Sequence, residues 1–153
     1  MADTPSPAPP RPLGYWLKAA DEALTRAIDA AHQADGITRL QWQVLHTIQQ
    51  TEPTPLPALM TAVRHFGPLD QVPELLEEFD TRGWIVTTVS GPRGLTRFGR
   101  TLEGRAHHDA LLTRQEAIRR RTMVGISPEE YAVVLRVLER VVSNLEPGGG
   151  SAP

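Results

Sequence analysis

Residues 69–80 read LDQVPELLEEFD and carry five acids, Asp70, Glu74, Glu77, Glu78 and Asp80, with no base before Arg82. A carboxylate on an exposed helix can accept a hydrogen bond from cytosine N4, hold a cation, or simply stay solvated. Gln71, in the same stretch, has an amide that can pair bidentately with adenine. Downstream the balance reverses. Between residues 93 and 121 there are eight arginines and three acids. Arg93, Arg97 and Arg100 are the members that could meet phosphate, and Arg64-His65 add charge upstream. The triplet Arg119–Arg121 reads as a solvated or ion-paired helix face.

The other chemistry-bearing residues are fewer. Five histidines raise the question of a metal. Adjacent histidines on a helix point about 100° apart, so His107 and His108 do not face one ion easily. There is no His-x-x-x-His and no cysteine, so no metal site and no cofactor is expected. No Ser-His-Asp spacing, phosphate loop or dinucleotide fingerprint is present, and no enzyme is expected. Trp16, Trp42 and Trp84 make up a large share of the aromatics. Trp84 reads as a core anchor. Trp16 and Trp42 read, from their types alone, as ordinary core packing.

These residues need a frame. The 153-residue length suits one domain, and a net charge of −2 gives no global signal for nucleic acid. The longest apolar run, YAVVL at 131–135, is too short to cross a bilayer, and MADTPSPAPPRP lacks the apolar core of a secretory signal. No membrane partner and a cytoplasmic location are expected. Residues 1–12 and 146–153 read as disordered tails. Between them the apolar period is mostly helical. It predicts helices over 14–34, 39–50, 57–66, 70–82, 96–121 and 127–145. Thr38-x-x-Gln41 and Ser127-Pro128-Glu129-Glu130 are capping boxes, and Asp70 is an expected N-cap with Pro73 in the first turn. Pro53, Pro55 and Pro57 predict an extended connection. Residues 84–89 are β-prone, Gly91-Pro92-Arg93-Gly94 is a turn, and Leu95-Thr96 is a brief return strand, with Thr96 also the expected cap of the next helix. The result is an all-α domain with a small β-wing, a winged helix-turn-helix.

This order, with its residues, resembles the MarR family of transcriptional regulators. Four segments carry the likeness: GITRLQWQVLHTI (36–48), LLEEFDTRGWI (75–85), LTRFGRTLEGRA (95–106, with Leu95, Thr96 and Gly99 in an LTxxG pattern) and ISPEEYAVVLRVLERVVSNL (126–145). Together they span roughly residues 13–145. The resemblance implies a homodimer built from helices at about 13–35 and 126–145, with a winged lobe at about 38–112. Leu17, Leu24, Tyr131, Leu135, Leu138 and Val142 are the expected dimer contacts. It also implies double-stranded DNA as partner, bound as a palindromic operator by a repressor under the control of a small aromatic or phenolic effector. The DNA contacts would be Arg64, Asp70, Gln71, Glu74, Arg93 and Arg97, and the effector contacts Tyr15, Trp16, Trp42, His46 and Arg105. The apolar circumference of 127–145 points to an interface independently, since a monomer of this size can hardly cover it.

The chain departs from the family in two places. Its recognition helix lacks a Ser/Thr/Arg-rich N-terminal half, and its wing is short and lacks an acidic tip. Three readings of the acidic stretch stay open at this level. The helix reads a cytosine-containing operator while other surfaces supply charge, its acids pair with its own basic wing, or the fold has become a ligand- or protein-binding dimer without specific DNA contact.

Overall fold

A computed structural model describes residues 11–51 and 53–146. The chain divides into two compact units, Met1–Glu116 and Ala117–Pro153. In the first unit, α1 (Leu13–His32) leads through a 3-10 turn, Gln33–Asp35, into α2 (Arg39–Gln50). Gly36 makes the reversal between them at φ 65°, left-handed backbone that an L side chain rarely adopts. The expected capping box opens α2: the Gln41 amide N–H donates to Oγ1 of Thr38 at 3.3 Å, and the Thr38 N–H donates to Oε1 of Gln41 at 2.8 Å. Arg39 ties α2 back to α1 through Asp21 at 2.5 Å and through the Thr25 hydroxyl at 2.6 Å.

The proline-rich connection is more ordered than the sequence suggests. Thr54–Pro55 forms a short strand, β1, and α3 (Leu56–Val63) and α4 (Val72–Thr81) follow. The hairpin comprises β2 (Ile85–Ser90) and β3 (Leu95–Arg100). The sheet is antiparallel in the order β1-β3-β2, with Thr54 opposite Phe98 and Thr87 opposite Phe98 on the other side. Proline lacks a donor, and an edge strand is where a sheet tolerates it.

Two helix starts differ from expectation. Asp70 is not the cap of α4: residues Leu69–Gln71 form a separate 3-10 turn, and Gln71 precedes the helix. The helix over 96–121 begins six residues later. Residues 95–100 are strand, and Phe98 alternates into the sheet core, where it is 4% exposed. α5 (Leu102–Thr122) is started by Thr101, whose hydroxyl accepts from the Gly104 N–H at 2.9 Å and donates to the Gly83 carbonyl at 2.6 Å. A glycine at 99 is unfavourable inside a helix and tolerable in a strand beside a close neighbour.

The core of this unit joins Val44, Leu45 and Ile48 of α2, Leu59 and Val63 of α3, Val72, Leu76 and Phe79 of α4, and Trp84, Ile85 and Phe98 around the sheet. All are buried, so α2, α3 and α4 present one apolar stripe each to a common centre, as their 3.6-residue period requires.

The second unit holds the end of α5 and α6 (Pro128–Leu145). Ser127 caps α6 as the sequence indicates, accepting from the Glu130 N–H at 3.1 Å while the Ser127 N–H donates to the Glu130 carboxylate at 2.8 Å. No residue of α6 is buried. Among the described residues, no helix is long and apolar enough to cross a membrane.

Candidate nucleic-acid interface

α3, the turn at 64–71 and α4 make the helix-turn-helix, and the β2–β3 hairpin makes the wing. Val72, Leu76 and Phe79 bury one side of α4, which turns Glu74, Glu77 and Asp80 outward, and Asp70 and Gln71 of the preceding 3-10 turn are exposed as well. Gln71 and Glu74 therefore lie at the N-terminal end of the second helix, the end that reaches base edges in this motif. Among the described residues, the acids make no ion pair with Arg93 or Arg97 of the wing. Glu78 forms an ion pair with Arg82 one turn along at 2.5 Å and accepts a 3.5 Å contact from Gln41. Among the described residues, Asp70, Glu74, Glu77 and Asp80 have no cationic partner, and neither Arg93 nor Arg97 approaches a carboxylate. The second reading of the acidic stretch, internal neutralisation by the wing, is thus not what the structure adopts.

The cations sit elsewhere on the lobe. Arg93 is exposed in the four-residue turn between β2 and β3, where Gly94 donates to the Gly91 carbonyl at 3.1 Å. Arg97 is half-buried on β3, and Arg64 lies just past α3 with its Nε donating to the His65 ring at 2.8 Å. The lobe surface is therefore a cationic wing tip beside an anionic helix.

The expected effector residues are not gathered in one place. Tyr15 and Trp16 are exposed on the first turns of α1, edge to face at 5.2 Å, with Arg11 over the Tyr15 ring. Trp42 lies at the far end of that helix, stacked on His32 at 5.7 Å. Sixteen residues of α-helix separate Trp16 from His32, about 24 Å at 1.5 Å per residue. Trp42 is 4% exposed and belongs to the core, and Arg105 is exposed on α5.

What sequence reasoning missed is an aromatic stack around Trp42. His46 of α2 and His108 of α5 lie against the indole at 4.9 and 5.1 Å and against each other at 5.2 Å. Nδ1 of His46 and Nε2 of His108 are 2.9 Å apart. The neighbour of His108 faces elsewhere, as the 100° rule predicts: His107 stacks on Trp84 at 3.9 Å. The periodicity of α2 and α5 places 46 and 108 on inward faces, but only the fold brings them together across 62 residues. One ring of the pair donates to the other, the direction depending on the tautomers, and Nδ1 of His108 lies 3.5 Å from the Asp109 carboxylate. Burial pushes His32, His46, His107 and His108 below the ordinary imidazole value of 6.5. At His32, Arg114 adds to the effect of burial, at His46 the His108 ring does, and at His107 Arg82 does, while Asp109 partly offsets burial at His108.

A pH prediction follows. Each folded pKa is depressed, so the unfolded chain binds more protons once pH drops below its own value near 6.5. The histidine contribution to stability is full above that value and is lost progressively as pH falls through it, levelling off below the folded pKa values. Urea midpoints should decline from pH 7.5 toward pH 5. His46→Asn, whose amide sits at the Nδ1 position that faces His108, should flatten that decline. A decline unchanged in the variant would assign it to other groups.

A concavity of about 510 Å³ opens between the end of α1 and the start of α2, lined by residues that include Arg26, Asp29, Gln33, Ile37 and Thr38. None of the five residues expected for an effector lines it. No motif marks these positions in the sequence, since a pocket at a helix reversal follows from the Gly36 turn and not from residue types.

No protein-family model matches the chain, and no curated protein matches it. Solved structures do. A MarR family transcriptional regulator from Silicibacter pomeroyi superposes with a TM-score of 0.74 at 18% identity, covering 88% of this chain and 90% of that one. A MarR family regulator from Rhodococcus sp. RHA1 gives 0.72 at 22% identity over 84% and 91%. The Bordetella bronchiseptica regulator BpsR, described with the control of its DNA binding by 6-hydroxynicotinic acid, gives 0.74 at 18% identity over 88% and 98%. Along nearly its whole described length, this chain has the winged helix-turn-helix fold of the MarR family transcriptional regulators.

Proposed function

We propose that the protein is a DNA-binding transcriptional regulator that acts in the cytoplasm as a homodimer on a palindromic operator, as a repressor released by a small aromatic ligand. The observation that carries this reading is the combination of an outward Gln71 and Glu74 around the start of α4 with an exposed Arg93 at the wing tip that has no ion-pair partner among the described residues. Gln71 suits adenine and Glu74 suits cytosine N4, while Arg93, Arg97 and Arg64 supply phosphate contacts. Asp70 borders the same face. The fold is a prior for such a role, and the side chains on this face are the argument.

Support for an aromatic ligand comes from the structural neighbours. A Mycobacterium tuberculosis MarR family protein, 21% identical over 86% of this chain and 98% of that one, with a TM-score of 0.67, was solved with p-aminosalicylic acid. The cavity beside α1 offers Arg26 as the partner for an aromatic carboxylate. Binding there would shift the population of lobe spacings and so the fit to successive major grooves. p-Aminosalicylate should weaken operator binding in the parent and not in Arg26→Ala; an equal effect on both proteins would move the ligand elsewhere.

The direct test is fluorescence anisotropy with DNA from upstream of the gene against scrambled DNA at several salt concentrations. Tight, sequence-preferring binding is the expected result. Arg93→Ala should weaken binding to both DNAs and reduce the slope of log affinity against log salt by about one. An unchanged slope would remove the wing from the interface. Asp70 and the three acids of α4 that have no cationic partner among the described residues, Glu74, Glu77 and Asp80, favour a second reading, a dimeric ligand- or protein-binding module with weak DNA contact. Binding without sequence preference in the parent would select it.

A further inference from the structure

The side of α4 that faces the wing holds a groove of about 270 Å³ that the DNA reading does not use. Its floor is Leu76 and Phe98, both buried, with Leu56 at one wall. Thr87 lines the opposite side. It is the register partner of Phe98, so the two side chains rise from the same face of the sheet. Successive strand residues alternate faces, which directs Arg97 and Thr88 away from the groove. The charged residues of the lining are Glu77 and Asp80.

These two carboxylates are three residues apart on α4, a spacing that makes them neighbours on the helix surface, about 5–6 Å between Cβ atoms. Both are exposed, and neither has a cationic partner among the described residues, the nearby Arg82 being engaged by Glu78. An apolar slot with paired anions on its rim repels phosphates and organic acids. It favours a body that buries a ring or short alkyl chain and presents a protonated amine between the two carboxylates.

We propose that the groove between α4 and the wing is a binding site for a small organic cation of the arylalkylamine type. The apolar body would rest on Leu76 and Phe98, and the ammonium would bridge Glu77 and Asp80. This site is separate from the cavity at Arg26, differs from it in the charge of ligand it selects, and does not depend on DNA recognition.

Isothermal titration of the full chain with phenethylamine and tryptamine, without DNA, tests it. Saturable binding that weakens as salt is raised is expected, with no binding of 3-phenylpropionate, the anionic counterpart. Glu77→Gln combined with Asp80→Asn should weaken binding at least about tenfold. Thr87→Trp, at an exposed strand position, should abolish it by filling the slot while both carboxylates remain. Absence of saturable binding, equal binding of 3-phenylpropionate, or an unchanged affinity in both variants would overturn the proposal. Because DNA is absent from the experiment, its failure would leave the operator reading standing.

Discussion

Gly104→Ala should cost about 3 kcal/mol of stability, the upper end of what inserting one methyl group into a packed interior does. In an ordinary helix the same change would gain up to about 1 kcal/mol, because alanine is the better helix former. The difference lies in what the new Cβ meets. Built at Gly104, it lands on the carbonyl oxygen of Trp84, with the carbonyl carbon and Cα of that residue close behind. These are backbone atoms of the segment entering β2 and cannot rotate aside as a side chain can. The same segment is held by the Thr101 hydroxyl on the Gly83 carbonyl, and by the Trp84 ring against His107. The first turn of α5 thus rides directly on the base of the wing, and any group larger than hydrogen must lever the two apart. Gly14→Ala is the matched control: it lies in α1 with nothing near its added Cβ, and it should leave stability unchanged or slightly raised. Urea denaturation of both variants decides. Equal midpoints would mean that α5 does not approach the Trp84 backbone this closely.

That close approach also shows where sequence reasoning runs out. The elements with strong local signals were legible: α2 and α6 begin at their capping boxes, and the Gly36 reversal and the 91–94 turn fall where the residues require them. The buried stripe of α4 was legible too, because Val72, Leu76 and Phe79 repeat at helical spacing. The features that depend on contacts far along the chain were not. Thr54 and Pro55 form a strand only because β3 offers them an edge, and nothing local announces that pairing. Residues 96–100 show helical spacing of Phe98 and Leu102 by coincidence, and cross-strand partners decide the matter. At the candidate site, the outward placement of Glu74 follows from the period of α4 alone, whereas that of Gln71 depends on the 3-10 turn before it. Whether the acids found basic partners could not be read, since ion pairing depends on the distance of the wing. The stack of Trp42, His46 and His108 was equally hidden, because each residue taken singly is an ordinary inward or half-inward position.

The second large effect concerns α6. In the homodimer proposed above, Leu135→Glu should favour the monomer, raising the dimer dissociation constant on the order of a thousandfold. The argument begins with exposure. Tyr131, Val133, Val134, Leu135, Val137, Val142 and Leu145 are between 38% and 80% exposed, and Leu138 is half-buried. On α1, Leu17 is 40% exposed and Leu24 half-buried, so all six residues expected for dimer contact keep apolar surface to offer. A run of large apolar side chains in water on one helix is the mark of a surface that is covered in the working protein. In a two-fold dimer each substitution is present twice. Removing a leucine from a buried contact costs about 2 kcal/mol per copy before the charge is counted, hence the thousandfold estimate. Position 135 is exposed within the chain, so the monomer should fold normally and its circular dichroism should match the parent. Light scattering coupled to size exclusion reads the assembly directly. A folded variant that still runs as a dimer would move the interface off this part of α6, and a parent that runs as a monomer would end the dimeric operator reading.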